Sequence, residues 1–414
     1  MSTVETTAKS PMGATVTPSE LDALVSWTLK GNALAETEAA SFVDITRDGL
    51  PALCAAASES RDHGKGRIVT FSPKVFIPLT MLCRDFCGYC TFRRDPESAG
   101  DLYMSPEQVL KVAQDGQALG CTEALFTLGE RPEQRYPEAK EWLAKRGYET
   151  TLEYLAAMCR MVAEETSLLP HANPGTMSRR EMAALRPYNP SMGLMLESTS
   201  PRLYEEGGPH EFAPSKRPRV RLRTLEIGGE LGVPFTTGIL VGIGENRLER
   251  IDALLEIRKL HDAHGHIQEV IIQNFRAKPN TPMSKELDAD GEELIWTVAV
   301  ARLILGPGMN LQVPPNLNAA DYQVYLDAGI NDWGGVSPLT IDFVNPEAPW
   351  PGLAELRDRT QAMGFALRPR LPVYPEYLDM AGGYLSQQMQ AKISGMTDDQ
   401  GYGLGGIERY AGIS

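Results

Sequence analysis

The sequence predicts an α/β protein with a TIM-type (β/α)8 barrel, and two observations lead to that fold class. From about residue 75, strand-like segments alternate with helix-like segments eight times. Repeated β-α units imply a parallel sheet with right-handed crossovers, and eight of them suggest a closed barrel. Polar and glycine residues also recur directly after the strands, where a parallel barrel carries its functional groups. A partial (β/α)6 core is the alternative, because the last two strands are short and rich in Pro and Gly.

Short and mostly apolar runs define the predicted strands, and longer segments between them define the helices. The strands cover residues 75–80, 124–128, 168–172, 192–197, 235–241, 269–275, 311–313 and 332–336. The helices cover residues 105–119, 151–165, 179–185, 216–231, 247–263, 291–305, 319–328 and 352–363. The helix at 105–119 opens with Ser105-Pro106-Glu107, which is a strong signal for a helix start.

The two ends of the chain differ in composition from the barrel. Residues 1–18 are rich in Ser, Thr and Pro, which predicts disorder. Helical stretches then begin near Ser19 and Leu50. We therefore divide the chain into a helical N-terminal extension with a disordered start (1–66), the barrel (67–366) and a proline-containing tail that packs on the barrel (367–414).

Composition restricts the classes of function. The chain of 414 residues is 42% hydrophobic and 23% charged, as in ordinary globular proteins. Its formal net charge of −14 argues against nucleic acid as a partner, because phosphate binding needs a basic surface. No apolar run is long enough for a membrane helix, and the polar N-terminus does not resemble a signal peptide. The few cysteines fit a reducing cytoplasm.

Three cysteines directly after the first strand are the most informative motif. Cys83, Cys87 and Cys90 are spaced C-x-x-x-C-x-x-C. Three thiolates can bind three irons of a four-iron cluster and leave the fourth iron open. Structural zinc needs four ligands, usually in two pairs, and the sequence has no second C-x-x-C. The spacing therefore favours a cluster, with a non-catalytic zinc-stabilised barrel as the alternative. The isolated cysteines, which we expect to be buried apolar residues, are Cys54, Cys121 and Cys159.

The cysteine segment resembles the signature of the radical S-adenosylmethionine (SAM) superfamily. The resemblance of the chain to that superfamily extends over about residues 68–340. Four longer runs are similar to the deazaflavin (FO) synthases of that superfamily, in the subunit called CofG. These runs are residues 74–92, 126–133, 170–175 and 273–282. The resemblance implies a [4Fe–4S] cluster on the three cysteines and SAM on the open iron.

The same resemblance implies residues for the SAM site. Tyr89 would lie near the adenine, and Gly129-Glu130 would bind the amino group, although Leu128 replaces the usual first glycine. Glu197, or less strongly Ser198, would bind the ribose.

A second set of residues would complete that site. Arg221 would bind the SAM carboxylate, in preference to Arg219 or Arg223, and Gly242 and Ile243 would lie along the adenine. For the arginines the simpler alternative is a solvated charged face.

Polar residues after other strands are candidates for the substrate side. They are His171, Asn173 and Asn274, with Asn316 as a further possibility. A satisfied structural hydrogen bond is the simpler explanation for each of them. The sequence identifies no general base.

The resemblance also implies a reaction. CofG-type enzymes convert 5-amino-5-(4-hydroxybenzyl)-6-(D-ribitylimino)-5,6-dihydrouracil, a tyrosine–uracil adduct, into 7,8-didemethyl-8-hydroxy-5-deazariboflavin (FO) with loss of ammonia. A CofH-type partner supplies the adduct, and a reductant such as flavodoxin or ferredoxin supplies the electron. The alternative is the CofH-type role of joining tyrosine to the ribityl-diaminouracil. Tyr89 and the run Ile77-Pro78-Leu79-Thr80 favour the ring-closing role.

Overall fold

Eight parallel strands form a closed barrel in the computed structural model, which describes residues 16–379 and 383–404. Each strand pairs with the next, and both β2 and β8 pair with β1, which closes the barrel. The predicted (β/α)8 fold is therefore confirmed, and the six-unit alternative is wrong. Strands β1 to β8 are Ile68–Pro78, Glu123–Thr127, Leu169–Asn173, Ser191–Gly193, Phe235–Val241, Ile267–Asn274, Leu311–Gln312 and Asp332–Val336.

Helices surround the barrel in the order that the sequence predicts. Ser105 caps α4 as expected, because its hydroxyl accepts from the amide of Gln108 at 3.3 Å. Two predicted helices are shorter in the structure: α8 begins at Pro218, and α11 retains one turn. Helices α1 to α13 are Pro18–Leu29, Glu36–Ser41, Leu50–Lys65, Pro106–Ala118, Pro137–Ala144, Thr151–Glu165, Arg179–Leu185, Pro218–Glu230, Arg247–His264, Gly291–Leu305, Val324–Asp327, Leu353–Ala362 and Gln387–Ile393.

Two strands differ in length from their predictions. β1 begins at Ile68 rather than at residue 75, because residues 68–73 pair with β8 and with a further strand. β4 ends at Gly193 rather than at residue 197, and Glu197 has a left-handed backbone (φ 68°). Residues other than glycine rarely adopt that conformation, which interrupts the regular strand, although Glu197 still pairs with Ile239 of β5 through a single parallel bridge.

The tail contributes a ninth strand that the sequence analysis missed. β9 (Ala366–Pro369) pairs in parallel with Ile68–Phe71 of β1. One edge of β1 therefore pairs with two strands in turn: with β9 along residues 68–71 and with β2 along residues 74–78. The predicted boundary between barrel and tail lies inside this strand, so the tail is joined to the barrel by strand pairing. Residues 370–374 then pass across the N-terminal end of the barrel, which we call the floor.

Helices α1 to α3 form the N-terminal extension on the outside of the barrel. α3 packs against α10, and α1 packs against α3. Two buried side chains connect these helices to the barrel by hydrogen bonds. Arg61 donates to the carbonyl of Ile330 at 3.2 Å, and Trp296 donates to the carbonyl of Phe42 at 3.1 Å. The predicted disorder of residues 1–18 falls mainly on residues 1–15, which lie outside the described residues, as do 405–414 of the predicted tail. Within the described ranges, none of the helices is both long and apolar enough to cross a bilayer.

Candidate active site

A cavity of about 220 Å³ opens at the C-terminal ends of the strands, which we call the mouth. Its wall includes all three cysteines of the predicted motif and residues that follow β2, β3, β4 and β6. This is the location that a parallel barrel predicts for a functional site. We call it the outer cavity.

Main-chain hydrogen bonds hold the cysteine loop in place. The amide of Phe86 donates to the carbonyl of Phe212 at 2.9 Å, and that of Gly88 donates to the carbonyl of Pro209 at 2.7 Å. On the other side, the amide of Arg84 donates to the carbonyl of Glu130 at 2.8 Å. These bonds use no side chain, so the loop is fixed while its thiols stay available.

The environment of the thiols suits a bound group that holds them as thiolates. Cys83 accepts a hydrogen bond at 3.1 Å from the amide of Glu130, a contact that stabilises thiolate charge. Burial raises the pKa of the Cys83 thiol to about 12, so a bound cation is needed to hold it as thiolate. Among the described residues, no group of three His, Cys, Asp or Glu side chains is close enough to hold one metal ion. A cluster, in contrast, binds each thiolate through a separate iron.

Gly129-Glu130 lies directly against this loop. A Cβ at Gly129 would come within 1.9 Å of the carbonyl oxygen of Leu82, so only glycine permits this approach. The buried Glu130 carboxylate lines the cavity and accepts from the amide of Thr176 at 3.0 Å and from its hydroxyl. Burial raises the pKa of Glu130, and the bonds from Thr176 oppose that shift.

Glu197 is paired with a lysine that the sequence analysis did not single out. The buried Glu197 carboxylate accepts from Lys216 Nζ, and both residues line the outer cavity. Burial and Arg221 lower the pKa of Lys216, but the charges of Glu197 and Cys87 outweigh them and raise it overall. Lys216 therefore stays charged and holds Glu197 at the cavity wall. Ser198, the second choice, is buried and bonds to the amide of Ser200 instead.

Only one of the three candidate arginines reaches the cavity. Arg221 is 4% exposed, lines the cavity and donates to the carbonyls of Ser215 and Met195. Arg219 is exposed, and Arg223 is exposed and pairs with Glu226 and Glu230. Residues two positions apart on a helix face different directions, which explains why Arg221 is buried while Arg219 and Arg223 are exposed.

Of the residues that were expected to lie near the adenine, Tyr89 lines the outer cavity, whereas Gly242 and Ile243 do not. The Tyr89 hydroxyl and Nε2 of the buried His210 are 2.9 Å apart, and Tyr89 lines the cavity. Gly242 and Ile243 do not line it, and their amides donate to the carboxylate of Glu245 at 2.7 and 2.8 Å. From that strand it is the side chain of Leu240 that lines the cavity.

A second cavity of about 180 Å³ lies within the barrel beneath the first. Both cavities share wall residues such as Asn173, so they adjoin, and we call the second one the inner cavity. His171 lines the inner cavity, and Asn274 lines the outer one while it accepts from Asn318 at 3.0 Å. Asn316 lines neither cavity and donates to Asp342 at 3.0 Å.

Buried ion pairs close the barrel at its floor. Arg370, from the tail, donates to Asp332 of β8 at 2.7 Å and to Glu269 of β6 at 2.9 Å. Lys74 of β1 pairs with Glu123 of β2 at 2.8 Å. Each of these three carboxylates therefore has a cationic partner, as a buried charge requires, and Arg370 serves two of them.

Comparison with known proteins identifies the family. A model of the Radical SAM superfamily matches residues 77–257. The 7,8-didemethyl-8-hydroxy-5-deazariboflavin synthase of Methanopyrus kandleri is 53% identical over 335 residues, which are 81% of this chain and 99% of that protein. The chain belongs to the deazaflavin synthases of the radical SAM superfamily. As a radical SAM enzyme, it uses a [4Fe–4S] cluster and SAM.

Other deazaflavin synthases match only in part. The FO synthases of Streptomyces avermitilis and Mycobacterium tuberculosis are each 50% identical over 378 and 377 residues. In both cases the match covers most of this chain, 89% and 87%, but only 44% of the relative. The chain thus spans less than half the length of these relatives and nearly all of the M. kandleri protein.

Solved structures support the fold. The [FeFe]-hydrogenase maturase HydG of Carboxydothermus hydrogenoformans aligns with a TM-score of 0.66 at 20% identity, over 87% of this chain and 85% of that one. Methylornithine synthase (PylB) aligns with a TM-score of 0.64 at 17% identity, over 83% and 97% of the two chains. At this identity the likeness concerns the barrel only.

Sequence reasoning missed three residues of the site, for a common reason. Lys216 was assigned to the start of a helix, whereas it lies in a short turn before α8. Asp85, which accepts from Ser215, lies within the cysteine motif at a position that the cysteine spacing leaves unspecified, and His210 lies in a loop without a recognisable motif. The cluster of charges in residues 215–221 was the one available signal.

Proposed function

We propose that this chain is a radical SAM FO synthase that closes the deazaflavin ring of the tyrosine–uracil adduct. The observation that carries the proposal is the identity of 53% to a named deazaflavin synthase over 99% of its length. The arrangement at the mouth supports it, because three open thiols and a set of charged groups share one cavity.

We assign the cluster to Cys83, Cys87 and Cys90, and SAM to the groups beside them. When bound, the cluster and SAM supply a 5′-deoxyadenosyl radical that abstracts hydrogen from the substrate. Glu130 fits the SAM amino group, and Arg221 fits the carboxylate, since their charges are opposite to those groups. Glu197 with Lys216 fits the ribose, and Tyr89 fits the adenine. Gly242 and Ile243 directly follow the strand that carries Leu240, and they would act indirectly, by positioning that strand end through their bonds to Glu245.

The chain's own part in the reaction is to bind, orient and exclude water. Ring closure with release of ammonia would make the enzyme a carbon–nitrogen lyase. A CofH-type partner would supply the adduct, and flavodoxin or ferredoxin would supply the electron. Such chemistry fits the reducing cytoplasm.

One reconstitution experiment tests the proposal. The cluster-loaded protein is given the adduct, SAM and a strong reductant under anaerobic conditions, and fluorescent FO and 5′-deoxyadenosine are measured. We expect both products in equal amounts. Deoxyadenosine without FO would overturn the proposed reaction, and adduct formation from tyrosine and the ribityl-diaminouracil would assign the CofH-type role instead.

A further inference from the structure

Three glycines in the barrel wall make room for three polar side chains of the inner cavity. A Cβ added at Gly193 of β4 would lie 3.0 Å from Nε2 of His171. At Gly334 it would lie 2.0 Å from the Gln312 amide nitrogen, and at Gly335 it would lie 2.2 Å from Cε of Lys74. These glycines let long polar side chains lie against the wall, so their tips reach the cavity and do not fill it.

The hydrogen bonds around His171 determine which of its nitrogens carries the proton. Ser191 donates its only hydroxyl hydrogen to the carbonyl of Pro372 at 2.6 Å. The contact of 2.8 Å between Ser191 and Nδ1 of His171 therefore needs a hydrogen on Nδ1. Nε2 of the neutral ring is then left with a free lone pair. Within residues 16–379 and 383–404, no group is hydrogen-bonded to Nε2.

Burial is the main reason that the His171 ring is neutral. Burial, together with the charges of Lys74 and Arg370, lowers the pKa of His171 to about 4, against an opposing effect of Glu123. The Glu123 carboxylate is 4.0 Å from Nδ1. Nε2 is therefore a hydrogen-bond acceptor at neutral pH.

The other two polar tips both carry hydrogen-bond donors. Lys74 Nζ has three hydrogens, one of which binds Glu123 at 2.8 Å. The side-chain amide of Gln312 bonds to no other side chain or main-chain group of the described residues. Both line the inner cavity together with His171. These three side chains thus present acceptors on His171 and Gln312 and donors on Lys74 and Gln312 around a small space, which the carboxylates of Glu269 and Asp342 also border.

One step nearer the mouth, two strands of the same wall carry apolar side chains. On β1 the inward side chain changes from Lys74 to Phe76, and on β6 it changes from Glu269 to Ile271. Phe76 stacks on Trp350 with the ring centroids 5.3 Å apart. A ligand in this cavity therefore meets flat apolar groups near the mouth and hydrogen-bonding groups below them.

We propose that this polar part of the inner cavity binds the polyol chain of the substrate, with His171 accepting from one hydroxyl and Lys74 and Gln312 donating to others. A hydroxyl both donates and accepts, so a polyol matches a mixed set of donors and acceptors. The inference rests on the proposed function, since the ribityl group is the polyol of the adduct. It places the rings of the adduct beside Phe76 and Trp350, nearer the cysteines.

A comparison of two substrates with four proteins tests the inference. The substrates are the adduct and an analogue in which methyl replaces ribityl, and kcat and KM are measured from deazaflavin fluorescence. The proteins, all loaded with cluster, are the wild type, His171→Leu, Gly193→Ala and the control His63→Leu. His63 is exposed on α3, far from the barrel interior.

For the wild type, we expect a KM at least tenfold higher for the methyl analogue. For His171→Leu, we expect KM for the adduct to rise about tenfold, as loss of one hydrogen bond predicts, and KM for the analogue to change less than twofold. Gly193→Ala should act in the same direction, because its Cβ crowds Nε2. His63→Leu should change neither KM.

Equal KM values for both substrates in the wild type would overturn the inference without any variant. So would a rise in KM for both substrates alike in His171→Leu, because a purely structural defect does not distinguish them. If the wild type forms no deazaflavin from the adduct, the proposed function fails first, and that outcome is distinct from either of these.

Discussion

The mouth and the floor of the barrel are both polar, but they are built in opposite ways. At the mouth, main-chain bonds such as that from Gly88 to Pro209 fix the loops, and the side chains point into an open cavity. At the floor, side chains fix one another, as Arg370 does with Asp332 and Glu269. The difference separates polar groups that are available to ligands from polar groups that hold the fold.

This contrast also separates the expected effects of substitution. A change at the mouth removes a ligand contact and leaves the fold intact. A change at the floor leaves a buried charge without its partner, which costs more than an exposed pair contributes. The inner cavity lies between the two, since His171 borders the floor network and also faces open space.

The largest effect is expected at the mouth, for Cys87→Ala. Loss of one thiolate should prevent assembly of the four-iron cluster, so iron content and deoxyadenosine formation should fall to background. The melting temperature of the unloaded protein should stay the same. Cys54→Ala, at a half-buried cysteine of α3, is the control and should retain the cluster. If the Cys87→Ala protein were active, the assignment of the cluster to the cysteines at the mouth would be wrong.

At the floor, Arg370→Met should lower the free energy of unfolding by about 3–5 kcal/mol at neutral pH, because Asp332 and Glu269 lose their cation. Burial already raises the pKa of Glu269 while Arg370 lowers it. Without Arg370 that pKa rises further, so the folded variant favours the neutral acid and loses stability as pH rises. Urea unfolding should be measured at pH 5 and pH 8. The difference in free energy of unfolding between the wild type and Arg370→Met should be larger at pH 8.

Arg368→Met provides the control for that comparison. Arg368 lies two residues earlier, with about a third of its side chain exposed, and pairs with the similarly exposed Asp398. Such a pair contributes at most about 1 kcal/mol. Equal losses in the two variants would contradict the description of the floor as a set of tightly coupled buried charges.

A smaller effect is expected for Arg221→Met at the mouth. If Arg221 binds the SAM carboxylate, the Kd of SAM should rise about 10- to 100-fold, which corresponds to one charge-assisted contact. Equilibrium binding to the cluster-loaded protein measures this. Arg219→Met should bind SAM like the wild type, since Arg219 faces solvent. The same loss in both variants would point to net charge rather than to a specific contact.

The smallest effect is expected where the two regions meet, for Ser191→Ala. This change removes the acceptor for Nδ1 of His171 and the donor to Pro372, at a cost of about 1–3 kcal/mol in unfolding free energy. The KM for the adduct should rise a few-fold, because Nε2 is no longer fixed as the acceptor. Ser60→Ala is matched to it, since the buried hydroxyl of Ser60 has no hydrogen-bond partner among the described residues. Its stability should be unchanged.

The mouth could be predicted from the sequence because barrel geometry places loops after strands in one cavity. Cys83, Glu130 and Glu197 each follow a different strand, and the structure brings them together. The family resemblance singled out Arg221, and helix periodicity placed Arg219 and Arg223 on another side of the helix. The assignment of these residues to parts of SAM stays a prediction.

The ion pairs of the floor could not be predicted, because the paired residues are distant in sequence and a single sequence does not show which residues pair. Nothing near Arg370 identifies Asp332 or Glu269 as its partners. β9 has four residues and includes Pro369, so it is too short for a recognisable pattern. In β1, Pro73 and the inward-facing Lys74 interrupt the apolar run, which explains the late predicted start of that strand.

The pairing of β9 with β1 has a consequence for the order in which the protein is completed. Strands from opposite ends of the described chain meet there, and contacts of such long sequence separation form slowly. Loops of the mouth are all synthesised before residues 366–374, which close the floor. We therefore expect a newly made chain to have its cysteine loop before it has a closed substrate pocket, and the tail to be the last part needed for a pocket that can hold the adduct.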